Sequence, residues 1–509
     1  MGDRDLTRSG FLSFASSLFS LVTGLLFSVV VARRLSITEY GVWQYYLAVI
    51  AYLVLPGATI NFWLTRELGR GKGSLSTGLI MNGLVSAVSG LLLLLIWMVS
   101  GSVAEVGPEI ILALILYTLL LYMANSLDSA AVGASPSLYG IGRFVLEVVK
   151  VFAAAVLVVW LRMGLLAALL SIDLAILAKC VVMYLRMPRT ALGKADLSLG
   201  FLWLRRWLIP VLGVLPGLLA SADLLILALI TGSTVPTAYL GVARTISEVV
   251  AYSGLLSISL YPLLLSGRTG SHVEESMRMV SMLAFPMVGG LIALALPILY
   301  VYGPSYSPAV ISLQLLSVAA LIGVAKEILV VVLQGTEKVD TNQDASLLEL
   351  TKSNLAMPRL IELAASCLYI LACSVVTYLL KSWEIPDSSI VAVLTLMYLL
   401  MAVSLLLIVW NLSKKVYKYA IPWSNLTRYA AATAVMVVTV LIFYPAQAIS
   451  TSISEVLINL LPVVAAGAVV YFVVLLVIDQ TSRNELRELY DVWRAGRKGP
   501  ASAGSPSRG

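Results

Sequence analysis

The chain has 509 residues, of which 60% are hydrophobic and 12% charged, with a formal charge of +7. Soluble domains are near half apolar and a quarter charged, so this chain would expose very large apolar patches in water, and lipid is the solvent that suits it. A single histidine, His272, and three cysteines, Cys180, Cys367 and Cys373, set in apolar runs without metal-like spacing, argue against histidine-based catalysis and clustered metal sites.

A membrane-spanning helix needs about 20 mostly apolar residues, and about fourteen runs meet that criterion. In chain order they are Gly10–Ala32, Gly41–Trp63, Ser76–Ser100, Pro108–Val132, Phe144–Leu161, Leu165–Leu185, Trp207–Ile230 and Pro236–Leu265. Met279–Tyr302, Pro308–Gln334, Leu360–Leu380, Ser389–Leu412, Leu426–Tyr444 and Ile453–Ile478 complete the set. The turn at Arg162, between the fifth and sixth runs, is very short. The predicted fold class is therefore all-α and polytopic, with no extramembrane segment long enough to fold as a separate catalytic domain. It divides into helices 1–6 (residues 1–185), a basic linker (186–206), helices 7–12 (207–412), helices 13 and 14 (426–478) and a tail (479–509). The tail starts as a charged amphipathic stretch, Asn484–Trp493, and ends in Gly, Ser and Pro, a composition expected to be disordered.

Lys and Arg in the connections orient the chain. With the N-terminus in the cytoplasm, inside segments carry Arg66, Arg70, Lys72, Arg143, Arg186, Arg189, Lys194, Arg205, Arg206, Arg268, Arg278, Lys338, Lys352, Arg359, Lys414, Lys415, Lys418 and Arg428, besides those at the two ends. Outside segments hold only Arg33, Arg34, Arg162 and Lys381. The expectation is a multi-pass protein of the cell membrane with both termini cytoplasmic.

Charges inside spans cost several kcal/mol unless paired or wetted. Asp128, Glu147, Lys150, Lys326, Glu327 and Glu362 fall within roughly two turns of the cytoplasmic face, where snorkelling accounts for most of them, and Glu147 and Lys150, three apart on one helix, can neutralise each other. Asp173, Asp223 and Arg244 lie deeper, about 10–12 Å below the outer ends of their helices, with Glu248 one turn beyond Arg244. Arg244 can pair with Asp223 on the preceding helix or with Glu248 on its own face, or these charges can line a water-filled cavity. The cavity is the preferred reading. Pro56-Gly57, Pro210, Pro216, Pro262, Pro286 and Gly289-Gly290 interrupt neighbouring spans, as moving, substrate-lining helices do. No phosphate-cradling glycine loop, zinc spacing or nucleophile elbow is present, so an enzyme is not expected.

Phe27-Ser-Val-Val-Val-Ala-Arg-Arg-Leu-Ser-Ile-Thr-Glu-Tyr-Gly41 resembles the first-helix exit of polysaccharide exporters. Ala222-Asp-Leu-Leu-Ile-Leu followed by Thr237-Ala-Tyr-Leu-Gly-Val-Ala-Arg244 resembles their seventh and eighth helices. Gly303-Pro-Ser-Tyr-Ser-Pro-Ala309 is similar to their turn before helix ten, and Gln334-Gly-Thr-Glu-Lys338 to that helix's polar end. In order and spacing these stretches resemble the Wzx-like oligosaccharide flippases of the MATE-like exporter superfamily, over roughly Ser9 to Leu412. Two departures stand out: Ser-Ile follows the Arg33-Arg34 turn where the family often has Gly-Pro, and an unusually polar stretch follows Lys338.

The resemblance implies two six-helix lobes around a central cavity, two extra C-terminal helices and alternating access. It also implies a polyprenyl- or dolichyl-diphosphate-linked oligosaccharide as cargo, flipped from the cytoplasmic to the outer leaflet for polysaccharide or glycoprotein glycan synthesis. Glycan-assembly enzymes would be partners, nucleic acid would not, and coupling to Na+ or H+ is an option with no resident cofactor. Such a cargo needs guanidinium groups for phosphate and polar aromatics for sugar. The candidate cavity residues are Arg33, Arg34, Asn125, Asp173, Asp223, Tyr239, Arg244 and Glu248, with Tyr45, Tyr46 and Tyr122 as further lining. The rival functions are a cation-coupled drug or metabolite antiporter of the same superfamily, using Asp223 or Asp173, and a membrane glycosyltransferase or polymerase.

Overall fold

A computed structural model describes residues 3–99, 105–257, 260, 271–335, 353–354, 356–444, 452–481 and 483. Among the described residues there is no strand. Long aliphatic runs with few internal glycines or prolines make helices, because lipid leaves backbone groups no partner except each other.

The first-half helices are α1 (Asp3–Arg34), α2 (Ile37–Leu53), α3 (Leu55–Gly69), α4 (Leu75–Val99), α5 (Pro108–Ala134), α6 (Pro136–Ala154) and α7 (Gly164–Arg186). Ser36 starts α2 with a reciprocal cap, its hydroxyl taking the Glu39 N–H and the Glu39 carboxylate taking the Ser36 N–H. Pro56 sits in the first turn of α3, and the span expected over Gly41–Trp63 is bent there by 51° into α2 and α3. The tight turn at Arg162 is real: α6 runs into a π-helical stretch, Ala155–Trp160, and Arg162 (φ 54°) and Gly164 (φ 62°) reverse the chain into α7.

The linker forms a short turn, α8 (Arg189–Leu192), and α9 (Leu197–Arg205), capped by the Asp196 carboxylate. The seventh expected run is broken into α10 (Leu208–Ala220) and α11 (Asp223–Thr231), and Gly232, left-handed at φ 67°, turns the chain into α12 (Val235–Ser247). From Glu248 to Ser257 the helix tightens to 3-10 geometry. Then follow α13 (Ser271–Ala293), α14 (Ala295–Tyr302), a 3-10 turn (Pro304–Ala309), α15 (Val310–Gly335), α16 (Met357–Ser382), α17 (Asp387–Val416), α18 (Trp423–Phe443) and α19 (Ile453–Ile478).

Among the described residues nine helices are individually long and apolar enough to span a membrane, and the number reaches eleven if each of two bent pairs, α2–α3 and α9–α10, is a single span. Of the other expected runs, the first lies in the unbroken α1, the seventh is broken at α10–α11, and the fifth and eighth are continued in π or 3-10 geometry after α6 and α12. The end of the eighth run with Pro262, the stretch Thr336–Lys352 and the tail segment Asn484–Trp493 lie outside the described residues.

Within the first half α5 packs on α3, α4 and α7, and α1 packs on α6. In the second, α15 packs on α12, α13 and α17, while α16 lies against α10, α11 and α17. Helices α18 and α19 pack on each other and onto α13 and α14. The halves meet where α2 crosses α11 and α12, α3 crosses α10, and α1 meets α14. Outward faces are apolar, with Leu91, Leu112, Leu371, Val438, Ile442 and Val473 all exposed, as a lipid-facing shell requires. The chain is thus a multi-pass helical membrane protein.

Candidate functional site

Where α1 and α2 meet α11 and α12, a cavity of about 280 Å³ remains, lined by Phe27, Ser28, Val31, Tyr40, Trp43, Gln44, Leu47, Leu224, Gly241, Arg244, Thr245 and Glu248. Its polar wall comes from one face of α12, because residues 241, 244, 245 and 248 recur at helical spacing. Gly241 has no side chain to spare: a Cβ there would meet Gln44 Cγ at 2.6 Å.

Arg244 is the charge at the centre of this wall. Its Nη2 donates to Asp223 Oδ2 at 2.8 Å, and the Tyr369 hydroxyl donates to the same oxygen at 2.9 Å. Asp223 is fully buried, and its other oxygen takes the N–H of Leu224. Tyr398 places its ring 5.8 Å from the guanidinium carbon. The Nη1 atom of Arg244, also buried, has no hydrogen-bond partner among the described residues. One nitrogen therefore anchors the guanidinium and another is a buried donor without an acceptor. Glu248 makes no ion pair among the described residues, so of the two pairings open to Arg244 it takes the one between helices.

Both ends of the cavity are crossed by contacts between the halves. At one end Arg33 donates to the carbonyls of Val301 (2.9 Å) and Tyr300 (2.6 Å), and Ser28 and Tyr302 share a hydrogen bond of 2.9 Å. Tyr306, from the 3-10 turn that the Gly303–Ala309 motif forms, stacks edge-on against Tyr40 and donates to Ala32 O at 3.4 Å. Thr234 donates to the Thr38 carbonyl at 3.1 Å beside the close approach of Gly41. At the other end the Tyr52 hydroxyl donates to Leu218 O, and the Trp63 indole donates to Arg206 O at 3.3 Å.

The sequence-based candidates divide accordingly. Arg244 and Glu248 line the cavity, and Asp223 lies one bond behind it. Arg33 belongs to the contacts at one end and Arg34 is exposed. Tyr239 is half-buried at the edge of the main core, Asn125 is half-buried on α5, and Asp173 is buried on α7; none of the three is among the cavity residues. The further aromatic candidates are packing residues instead. Tyr45 and Tyr46 form an edge-on pair inside the core, and Tyr122 is buried, donating to Leu53 O at 2.6 Å. A helix face rather than a residue type decides such placements.

Sequence reading missed Gln44, Trp43, Tyr40 and Thr245 in the wall. Gln44, a carboxamide in an apolar run one helical turn from Tyr40, was the available signal, and the two are hydrogen-bonded at 3.0 Å. The pairing allowed to Glu147 and Lys150 is present at 2.7 Å, and the other face-proximal charges, most of them assigned to snorkelling, are paired as well: Lys179 with Asp128 at 2.6 Å, and Lys326 and Arg359 with both Glu327 and Glu362. These last four line a second cavity of about 210 Å³, with Tyr398 on its wall. Among the described residues no His/Cys/Asp/Glu group could hold a metal ion.

No protein-family model matches the chain, and no curated protein matches it by sequence. Solved structures do match. The lipid II flippase MurJ, in an inward closed conformation, superposes with a TM-score of 0.61 at 12% identity, over 92% of this chain and 98% of that one. An inward-facing multidrug resistance MATE family transporter of the MOP superfamily gives 0.58 at 13% identity, over 78% and 95%. A MOP superfamily transporter from Pyrococcus furiosus, described by the reverse polarity of its binding pocket, gives 0.51 at 12% identity, over 81% and 96%. The chain has the fold of the MOP-superfamily transporters. The expected placement near the MATE-like exporters is thereby met at the level of fold.

Proposed function

We propose that the chain is a membrane transporter that flips a polyprenyl- or dolichyl-diphosphate-linked oligosaccharide from the cytoplasmic to the outer leaflet by alternating access. The observation that carries the reading is Arg244, a residue of the cavity wall whose Nη1 is a buried donor without an acceptor among the described residues, on a guanidinium already held in place through Nη2. A fixed guanidinium with a free in-plane donor suits a phosphate oxygen, and a buried unpaired donor costs about 1–3 kcal/mol until something accepts from it. Trp43, Tyr40 and Gln44 on the opposite wall offer stacking and hydrogen bonds to sugar. The overlap with a lipid II flippase along nearly the whole of both chains supports a lipid-linked cargo. At about 280 Å³ the cavity is at the low edge of ordinary ligand sites, so loading requires one set of cross-half contacts to part.

The second reading, a cation-coupled antiporter, has its own observation in Glu248, a carboxylate on the same wall without an ion pair among the described residues. One reconstitution separates the two. Proteoliposomes carrying a fluorescent diphosphate-linked oligosaccharide are assayed for movement between leaflets. The wild type is expected to flip it; Arg244→Gln is expected to fold, reach the bilayer and lose most activity; Arg244→Lys is expected to recover only part, because an ammonium lacks the planar fork. The swap Asp223→Arg with Arg244→Asp keeps the pair but moves the donor off the cavity wall, and is expected to stay inactive. Full flipping by Arg244→Gln, or rescue by the swap, would reduce Arg244 to a structural ion pair. Drug- or metabolite-driven Na+ or H+ exchange lost in Glu248→Gln, without lipid flipping, would favour the antiporter.

A further inference from the structure

On the face where α3 ends and α4 begins, the linker helix α9 is clamped against the first half. Gly200 lies against Met81, where a Cβ would come 2.4 Å from Met81 Cγ, and Trp203 is buried among Ile60, Leu64 and Met81. The Asp196 carboxylate accepts from Ser198 and Leu199, and those bonds hold it below the usual carboxylate range. Holding Gly200 and Trp203 inward turns the opposite side of α9 outward, and that side carries Leu197, Phe201, Leu202 and Arg205, all exposed. Trp207 continues it at 53% exposure. An exposed row of large apolar residues beside arginines, on a short helix at the end of the spanning bundle, is what a helix lying in the headgroup region presents.

Directly beside this row stand two arginines without carboxylates. Arg66 stacks 3.6 Å from the Phe62 ring centroid and lies 5.9 Å from that of Trp63, and Arg206 lies 5.7 Å from the same indole. Trp63 thus carries a guanidinium near it from each of two segments, and its N–H is spent on the Arg206 carbonyl. The nearest acid on α3, Glu67, is occupied by Arg70 (3.5 Å) and Lys72 (3.2 Å). Among the described residues neither Arg66 nor Arg206 pairs with a carboxylate. A guanidinium stacked face-on to an aromatic ring keeps its in-plane N–H donors available for phosphate. None of Phe62, Trp63, Arg66 and Arg206 lines the central cavity, so this cluster is separate from the site built around Arg244.

We propose that Arg66 and Arg206, held beside Trp63, bind the phosphate headgroup of an anionic phospholipid from the leaflet on the basic face, with the apolar side of α9 seated among its acyl chains. The charge is complementary, and the apolar row requires acyl chains that a soluble phosphate lacks. The site ties the linker to the membrane surface and stands independently of which cargo the central cavity takes.

Native mass spectrometry of the full chain in detergent, titrated with phosphatidylglycerol, tests it. Wild type is expected to retain phosphatidylglycerol in preference to phosphatidylcholine, and Arg66→Gln with Arg206→Gln to bind it about tenfold more weakly, as loss of charge-assisted contacts implies. Arg189→Gln with Lys194→Gln removes equal charge from the same linker and is expected to leave binding unchanged. Arg66→Lys with Arg206→Lys, which keeps the charge and the fold, is expected to fall between. Equal loss in the Arg189/Lys194 variant, equal binding of phosphatidylcholine, or unchanged binding in the Arg66/Arg206 variant would overturn the site. Retention of a polyprenyl diphosphate but no phosphatidylglycerol would overturn it in favour of a cargo-docking role.

Discussion

Glu362 holds two cations at once. Its side chain is only 6% exposed, and Lys326 and Arg359 approach it at 2.5 and 2.7 Å. Glu327 meets the same two cations but is 47% exposed. Burial decides how much each acid matters, because a charge left alone in the interior has no water to fall back on. Glu362→Ala is expected to destabilise by about 3–5 kcal/mol and Glu327→Ala by about 1 kcal/mol, read as unfolding midpoints in detergent. Equal losses would mean that exposure does not rank this network. The residue types were legible in the sequence, since four charges near the ends of two apolar runs need an explanation. Their pairing was not, because Lys326 and Glu362 are 36 positions apart and are brought together only when α15 and α16 both pack on α17.

Among elements, α2 and α12 show how close two helices come at the end carrying Arg33. A Cβ on Gly41 would lie 2.0 Å from the Thr234 carbonyl oxygen, well inside van der Waals contact. Gly41→Ala is therefore expected to push that end apart. Spin labels at Ser36→Cys and Ser233→Cys, in a background without the native cysteines, should show a longer and broader distance distribution than in the parent. An unchanged distribution would mean that this approach does not set the closed end. The breaks are read in the same way. Pro216 lies inside α10, and two carbonyls in the last turns of that helix take side-chain donors from elsewhere: Ser366 donates to Pro216 O at 3.0 Å and Tyr52 to Leu218 O. The prolines were visible in the sequence. Their partners, one from α16 and one across the interface between halves, were not.

For the whole molecule, the basic residues of Arg66–Lys72 and of the linker from Arg186 to Arg206 collect on one face. There Gly73 touches the backbone of Gly193, and Asp196 N–H donates to Thr77. By the positive-inside rule we propose that this face is the cytoplasmic one. A reporter active only in the cytoplasm is expected to work when fused after Arg494 and to be silent when inserted between Lys381 and Asp387. The opposite pattern would invert the topology.

Composition and run length by themselves determined the solvent and the all-α class, because burying a backbone in hydrocarbon permits few alternatives. They also singled out Arg244, Asp223 and Glu248, since charge within a span is costly enough to need a reason. Only the tertiary structure decided that Arg244 pairs with Asp223 and leaves Nη1 without an acceptor, that Tyr45, Tyr46 and Tyr122 are core, and that Asp173 lies off the cavity. Those outcomes depend on which face of each helix meets which neighbour. Nearly uniform apolar helices carry little amphipathic pattern to reveal that face, so it emerges only when the two halves of the chain pack together.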